Sequence, residues 1–189
     1  METLKKRILQ EASVISSDVL RLDALLNHQV DPVLTTEMGQ QFARLYEGEK
    51  ITKVVTLESS GIPIAFATAQ ALGVPLLFAR RKKTLIADPE SYCERVPSFT
   101  QGIVTDIMVS KKFLHDGDRV LFIDDIIANG DAARGLIKII KRSGAELAGI
   151  GVVIEKTFQS GARTLREQGI RVDSLVKIAS LDNGTITFA

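Results

Sequence analysis

The chain is poor in the residues that build most metal and disulfide sites. Its 189 residues include one cysteine, Cys93, and two histidines. A single thiol closes no intrachain disulfide, and one cysteine with two histidines assembles no zinc cluster at the usual spacings. No protein-held metal site is expected, and Cys93 reads as an incidental free thiol, not a nucleophile. Nor does one sign of charge dominate. Twenty-four Lys and Arg stand against 23 Asp and Glu, a formal net charge of +1, which indicates neither nucleic acid nor a membrane surface as partner. No apolar run approaches membrane-spanning length. The start, Met1-Glu-Thr-Leu-Lys-Lys-Arg-Ile8, is charged and amphipathic and lacks the apolar core of a signal peptide. A reducing cytoplasm is the expected setting. Repeats, low-complexity tracts and linkers are absent, and the length suits one domain with a sizeable core.

What is present alternates between apolar strands and helical stretches. Leu4, Ile8, Leu9 and Ala12 suggest an N-terminal helix, and Pro32 opens another that runs through Tyr46. Ile51–Leu57 reads as a strand and Ile62–Leu72 as a helix stopped by Gly73. Further strands are expected at 74–79, 120–123 and 150–154, with a helix at 130–143 and an edge strand at 175–178. Ile103–Ser110 alternates, as a half-exposed antiparallel strand does. His115–Asp118 reads as a turn. The succession of strand, helix and strand predicts an α/β fold with a doubly wound, mainly parallel sheet.

One stretch stands out: Arg119-Val-Leu-Phe-Ile-Asp-Asp-Ile-Ile-Ala-Asn-Gly-Asp-Ala132. A fully apolar run ends in two acids, Asp124 and Asp125, where open α/β sheets place ligands. The small residues of Ala128-Asn129-Gly130-Asp131-Ala132 follow and allow close backbone approach. Ala133, Leu136, Ile137 and Ile140 then share a helix face, with Gly144 as the stop. Amides at such a helix start can hold a phosphate. An isolated Asp-Asp pair is more often a strand end with a helix cap nearby.

The full pattern resembles the phosphoribosyl-pyrophosphate (PRPP) binding motif of the type I phosphoribosyltransferases. The resemblance implies that fold, with a small hood lobe formed by the N-terminal and C-terminal segments and a flap. It assigns Asp124 and Asp125 to the ribose hydroxyls and Ala128, Asn129, Gly130, Asp131 and Ala132 to the 5′-phosphate. The chain departs from the family inside the loop, where most members carry threonine or serine hydroxyls and this one has Asn129, Asp131 and Ala132. Ala128 also replaces an acid usual in the hypoxanthine-guanine and orotate enzymes. A backbone cradle survives such changes, because its donors are main-chain amides.

Three other segments fall at expected strand ends. Glu58-Ser59-Ser60-Gly61, followed by Pro63, is either an ordinary capped helix start or, by the resemblance, the pyrophosphate loop, with Ser59, Ser60 and Gly61 as ligands. Arg80-Arg81-Lys82-Lys83 is either a solvated basic face or, like basic residues of the family, the neutraliser of pyrophosphate, Arg80 first among them. The stretch from Thr84 to Gly102 is either a plain surface hairpin or the family's mobile flap, which excludes water when closed. After strand 150–154 comes Glu155-Lys156-Thr157-Phe158. In purine members a lysine at the place of Lys156 donates to an exocyclic oxygen of the base. A lysine cannot accept, so it favours a 6-oxopurine over adenine. Phe158 stacks on the base or packs in the core; both readings stay open.

Over nearly its full length the chain resembles the xanthine phosphoribosyltransferases of bacterial purine salvage. The matching stretches are Leu20 to Asp31, Thr56-Leu-Glu-Ser-Ser-Gly-Ile62, Phe78-Ala-Arg80, the loop ending at Ala132, and Gly149-Ile-Gly-Val-Val-Ile-Glu-Lys156. That likeness implies base contacts from Leu20 and Asn27 in the hood with Lys156 opposite, a homodimer, and substrate-bound Mg²⁺. It implies one domain over 1–189, with a hood of about 1–35 plus the C-terminal segment, a core of about 36–178 and a flap of about 80–102. The expected reaction joins xanthine to PRPP, giving xanthosine 5′-monophosphate and pyrophosphate. Guanine stays open as an alternative base. A regulator that keeps the motif as a sensor is the rival class. It would carry a DNA-binding domain, and the roughly fifty residues before the first core strand show no basic recognition helix.

Overall fold

The computed structural model describes residues 1–82, 89–98 and 103–189. Helix α1 (Glu2–Glu11) leads into a two-stranded ribbon, β1 (Ser13–Val14) and β2 (Leu20–Arg21), and a π-helical turn at Asp23–Asn27. Helix α2 (Pro32–Leu45) then precedes β3 (Lys53–Leu57), α3 (Ile62–Leu72) and β4 (Leu76–Lys82). A hairpin pair, β5 (Ser91–Ser98) and β6 (Ile103–Ser110), is followed by β7 (Arg119–Ile127), α4 (Asp131–Arg142) and β8 (Glu146–Lys156). Helix α5 (Gly161–Glu167), β9 (Val172–Ser180) and β10 (Thr187–Phe188) close the chain.

The main sheet runs β10-β9-β8-β7-β3-β4-β6-β5. Its four central pairings, β4 with β3, β3 with β7, β7 with β8 and β8 with β9, are parallel. The flanks at β4–β6–β5 and β9–β10 are antiparallel. Side chains alternate across this sheet and feed two cores. Val54, Leu121 and Ile123 join α2, α3 and the N-terminal segment on one face. Val55, Val120 and Phe122 join α4 and α5 on the other. Strands buried on both sides explain the unbroken apolar runs of the sequence.

Local signals account for the helix ends. The Asp31 carboxylate accepts from the Val33 and Leu34 amides at 2.9 and 3.1 Å, with Pro32 in the first turn of α2. Gly73, in the left-handed region, ends α3 as expected. The N- and C-terminal segments share one core: Leu4, Ile8, Leu20 and Leu22 pack with Leu181, Ile186 and Phe188. No helix among the described residues is long and apolar enough to cross a membrane.

Several strand bounds differ from expectation. The strand expected at 74–79 is shifted to Leu76–Lys82, so Arg80, Arg81 and Lys82 lie within it and do not follow it. Likewise β7 continues through Asp124 and Asp125 to Ile127, and β8 continues through Glu155 to Lys156. Backbone ladders do not end where side chains turn polar; Asp124 pairs with Val152 and Ile127 with Glu155. The strand expected at the edge, 175–178, is covered by β10. Of the stretch from Thr84 to Gly102, β5 pairs with β6 from Ser91 to Ser98; residues 84–88 and 99–102, like Lys83, lie outside the described residues. Cys93 sits half-buried in β5, its thiol pushed up by burial and by the charge of Asp106, which keeps it from the thiolate form a nucleophile needs.

Candidate active site

Two helix starts meet at the C-terminal ends of the central strands. Helix α4 begins at Gly130, whose φ of 79° is a left-handed conformation open to glycine at little cost. No side chain caps this start, so the amides of its first turn are left for another acceptor. Gly161 Nα donates to the Ala128 carbonyl at 3.0 Å. A Cβ on Gly161 would collide with that oxygen and stand 2.7 Å from the Gly130 nitrogen. The 128–132 loop is therefore braced from behind by the start of α5. Before it lies a cavity of about 150 Å³, walled by the loop, Phe122, Asp124 and Arg81.

The second start, at Gly61, also lacks a side-chain cap. It presses on the first acid: a Cβ on Gly61 would lie 2.9 Å from Asp124 Oδ1 and would strike Thr56 Oγ1. Ser59 and Ser60 lie in the turn between β3 and α3, just before the glycine that packs on Asp124. Ser59 contributes its carbonyl to the Ile62 amide at 3.1 Å.

The two acids sit in an unfavourable electrostatic position. Burial and the neighbouring Asp125 charge push the Asp124 carboxyl well above the usual carboxylate range. Burial also raises Asp125. Asp124 Oδ1 accepts from the Asp125 amide at 3.0 Å. Arg81 is the cation that relieves both charges. Raised carboxyls beside free amides form a site short of cations and hydroxyl donors.

Arg80 and Arg81 part company on β4, as successive strand residues must. Arg81 lines the cavity. Arg80 turns away: its Nε pairs with Glu58 Oε2 at 2.7 Å, its guanidinium lies over the Phe78 ring, and its side chain is 67% exposed. Glu58 also accepts from the Arg81 amide. The alternation along β4, which brings Arg81 and not Arg80 to the cavity, is hidden when the basic run is placed after the strand.

At the far end, Lys156 is buried, and its Nζ donates to the Asp18 carbonyl at 2.6 Å. Burial lowers its pKa, partly opposed by the Asp18 charge. Leu20 is buried on β2, whereas Asn27 is exposed at the end of the π turn. Phe158 is 39% exposed, which removes the core-packing reading. Beside Lys156, Glu155 is clamped by Arg166 through two bonds of 2.7 Å and by the Ser174 hydroxyl. Burial opposes its charge, yet these bonds hold its pKa below the usual range. Sequence reasoning missed this clamp, Gly161, the packing of Thr56 and the pair Arg134–Asp131. Only the last has a local signal, its i, i+3 helix spacing. Among the described residues no group of three or more His, Cys, Asp or Glu could hold a metal.

Comparisons with known proteins agree with this geometry. Residues 33–181 match the model of the phosphoribosyl transferase domain. The chain is 52% identical to a xanthine phosphoribosyltransferase of Bacillus cytotoxicus, covering all of this chain and 95% of that one. It is 54% identical to the xanthine phosphoribosyltransferase of Moorella thermoacetica, covering all of this chain and 96% of that one. Among solved structures, the adenine phosphoribosyltransferase of Rhodothermus marinus superposes with a TM-score of 0.75 at 24% identity, over 94% of this chain and all of the other. That of Thermoanaerobacter pseudethanolicus gives 0.74 at 22%, over 92% and 99%. At these identities the structural likeness concerns the fold.

Proposed function

The chain belongs to the phosphoribosyltransferase family, and from that premise we propose that it transfers the phosphoribosyl group of PRPP to xanthine, as a cytoplasmic homodimer. One observation carries the reading. The buried acid pair on β7 stands between two uncapped helix starts: Asp124 packs against the one at Gly61 and lines one cavity with the one at Gly130. Two carboxyls raised by burial, Asp124 also by the charge of Asp125, suit a diol, whose hydroxyls donate to them. Two free helix starts suit two phosphate groups.

In this reading the 128–132 amides hold the 5′-phosphate, Asp124 and Asp125 the ribose hydroxyls, and Ser59, Ser60 and Gly61 the pyrophosphate, with Arg81 beside it. A ring nitrogen of the base attacks C1′ as the bond from C1′ to pyrophosphate breaks, and the pyrophosphate leaves with the electron pair. Positive charge develops at the ribose, so the acids and the positioning of both ends supply the catalysis. Mg²⁺, when bound, would be held mostly by substrate oxygens and water; Asp124 and Asp125 are the carboxylates beside it that could complete its oxygen shell, and it would neutralise pyrophosphate.

Lys156 reads the base, opposite Leu20 and Asn27 of the hood. To do so its Nζ exchanges the Asp18 carbonyl for an exocyclic oxygen of the purine. Ala128 offers no carboxylate to take a proton from the base. Xanthine, a stronger acid than guanine or hypoxanthine, can enter partly as an anion, and Lys156 suits that charge. Pyrophosphate release measured with PRPP, Mg²⁺ and each purine in turn tests the proposal. Xanthine should give the highest kcat/KM. No turnover with any purine would overturn the transferase reading, and preference for guanine would move only the base. Light scattering should give twice the mass of one chain, 20.6 kDa.

A further inference from the structure

Gly161 is a glycine for reasons of space, not of backbone angle. It opens α5, is buried, and has no left-handed φ. Alanine has the higher helix propensity. What excludes a side chain is the 128–132 loop. A Cβ on Gly161 would collide with the Ala128 carbonyl oxygen and stand 2.7 Å from the Gly130 nitrogen and 2.8 Å from the Asn129 carbonyl carbon. All three are main-chain atoms, which cannot rotate aside as a side chain can. From the loop's side, a Cβ on Gly130 would stand 3.0 Å from Gly161 Cα. Two glycines therefore face each other, close enough for the Gly161 amide to donate to the Ala128 carbonyl at 3.0 Å.

That bond fixes a direction. The 128–129 peptide is trans, and in a trans peptide the N–H points opposite to the C=O. With the Ala128 carbonyl turned back to α5, the Asn129 amide is turned away from α5, toward the cavity that Ala128, Asn129 and Gly130 line. Among the described residues that amide has no acceptor. We propose that Gly161 is a positioning residue for the phosphate cradle: it holds the 128–129 peptide so that the Asn129 amide faces the 5′-phosphate. This rests on the phosphoribosyltransferase reading of the loop. Gly161 itself does not touch the ligand. The contrasting role is plain packing, in which Gly161 serves only the stability of α5.

Two variants and one spectrum separate these roles. Gly161→Ala pushes the loop out of place. Titration calorimetry with ribose 5-phosphate should show binding weakened by about tenfold to a hundredfold, the scale of a lost hydrogen bond to a charged group. KM for PRPP should rise with it, while KM for xanthine stays within about twofold. Leu165→Ala is the control. Leu165 is fully buried on α5, so its truncation removes core packing from the helix but leaves the Gly161 contact. Its Tm should fall, and its affinity for ribose 5-phosphate should stay within about twofold of the wild type. Equal weakening by Leu165→Ala would reduce the brace to helix stability and overturn the proposal, as would wild-type affinity in Gly161→Ala. Should Gly161→Ala fail to fold, the wild type decides. Its Asn129 amide resonance should move strongly on saturation with ribose 5-phosphate, and an unmoved resonance would overturn the proposal. A wild type that shows this shift yet turns over no purine would sink the transferase reading alone. A wild type that does not bind ribose 5-phosphate would sink both.

Discussion

At one end of the site, the proposed phosphate end, the acid pair, the 128–132 loop and the uncapped helix start all come from β7 and α4, one continuous piece of chain. At the other, the proposed base end, Lys156 on β8 meets the Asp18 carbonyl across 138 positions. The first region holds a cavity and unsatisfied donors. In the second the chain's own carbonyl takes one of the lysine's three donors. Under the proposed reading, PRPP finds a formed seat, and the base displaces an internal contact. Substitutions should therefore act one-sidedly, each on a single substrate, and that asymmetry can be tested.

The largest effect is expected at the acids. Asp124→Asn or Asp125→Asn should reduce kcat/KM for PRPP by roughly 1.5–3 kcal/mol each, the scale of charge-assisted hydrogen bonds. Stability should move the other way. A carboxyl whose folded pKa is raised favours folding fully only below its unfolded pKa, and that contribution is lost as pH rises through the folded value. At neutral pH the ionised pair therefore strains the fold. Asn at either position should raise Tm at pH 7 and flatten its fall between about pH 4 and pH 7. A variant with lower Tm and unchanged PRPP kinetics would mark these acids as structural. Loss of xanthine affinity together with PRPP affinity would break the separation of the two ends.

Lys156→Met is expected to be weaker, because in the free protein the lysine already has a partner, so base binding exchanges one acceptor for another. A loss of about 1–2 kcal/mol in kcat/KM for xanthine, with KM for PRPP nearly unchanged, is the expected outcome. In the wild type, kcat/KM for xanthine should rise as pH passes the pKa of free xanthine, and hypoxanthine should lack that rise. In Lys156→Met the rise should shrink, since the anion loses its cation. A mutant with the wild-type xanthine profile would send the search for the base reader to Leu20 and Asn27.

The same division explains what could be read before the structure. Helix α3 was legible to the residue, Ile62–Leu72, because Pro63 and Gly73 mark its ends by local chemistry. The acid pair and the loop stand out in the same run of sequence, although Asp124 and Asp125 lie inside β7 and not after it. Strand ends were not. Apolar side chains stop at Ala79, Ile123 and Ile154, but the ladder runs on, since amide pairing ignores side-chain polarity. Once Arg80 and Arg81 are known to be in a strand, their opposite directions follow, and Arg81 is the one on the cavity wall. Contacts made at long separation left no trace at all. Gly161 behind Ala128, Arg166 on Glu155 and Asp18 on Lys156 each depend on the finished sheet order.

The smallest effect expected sharpens the account of Lys156. Burial lowers its pKa, and the Asp18 charge works against that. The hydrogen bond goes to the main-chain carbonyl of Asp18, so Asp18→Asn keeps it and removes only the charge. Asp18 is exposed, and solvent screens such a charge, so the change in xanthine kcat/KM at neutral pH should stay below about 0.5 kcal/mol. The sign shows at high pH. With the opposing charge gone, the Lys156 pKa falls further, and the ammonium is lost at lower pH. The alkaline decline of xanthine kcat/KM should begin earlier in Asp18→Asn than in the wild type, and added salt should narrow the gap. In Lys156→Met that limb should be absent. A decline shifted to higher pH in Asp18→Asn, or one that persists in Lys156→Met, would show that another group titrates there and that the N-terminal segment does not tune the lysine.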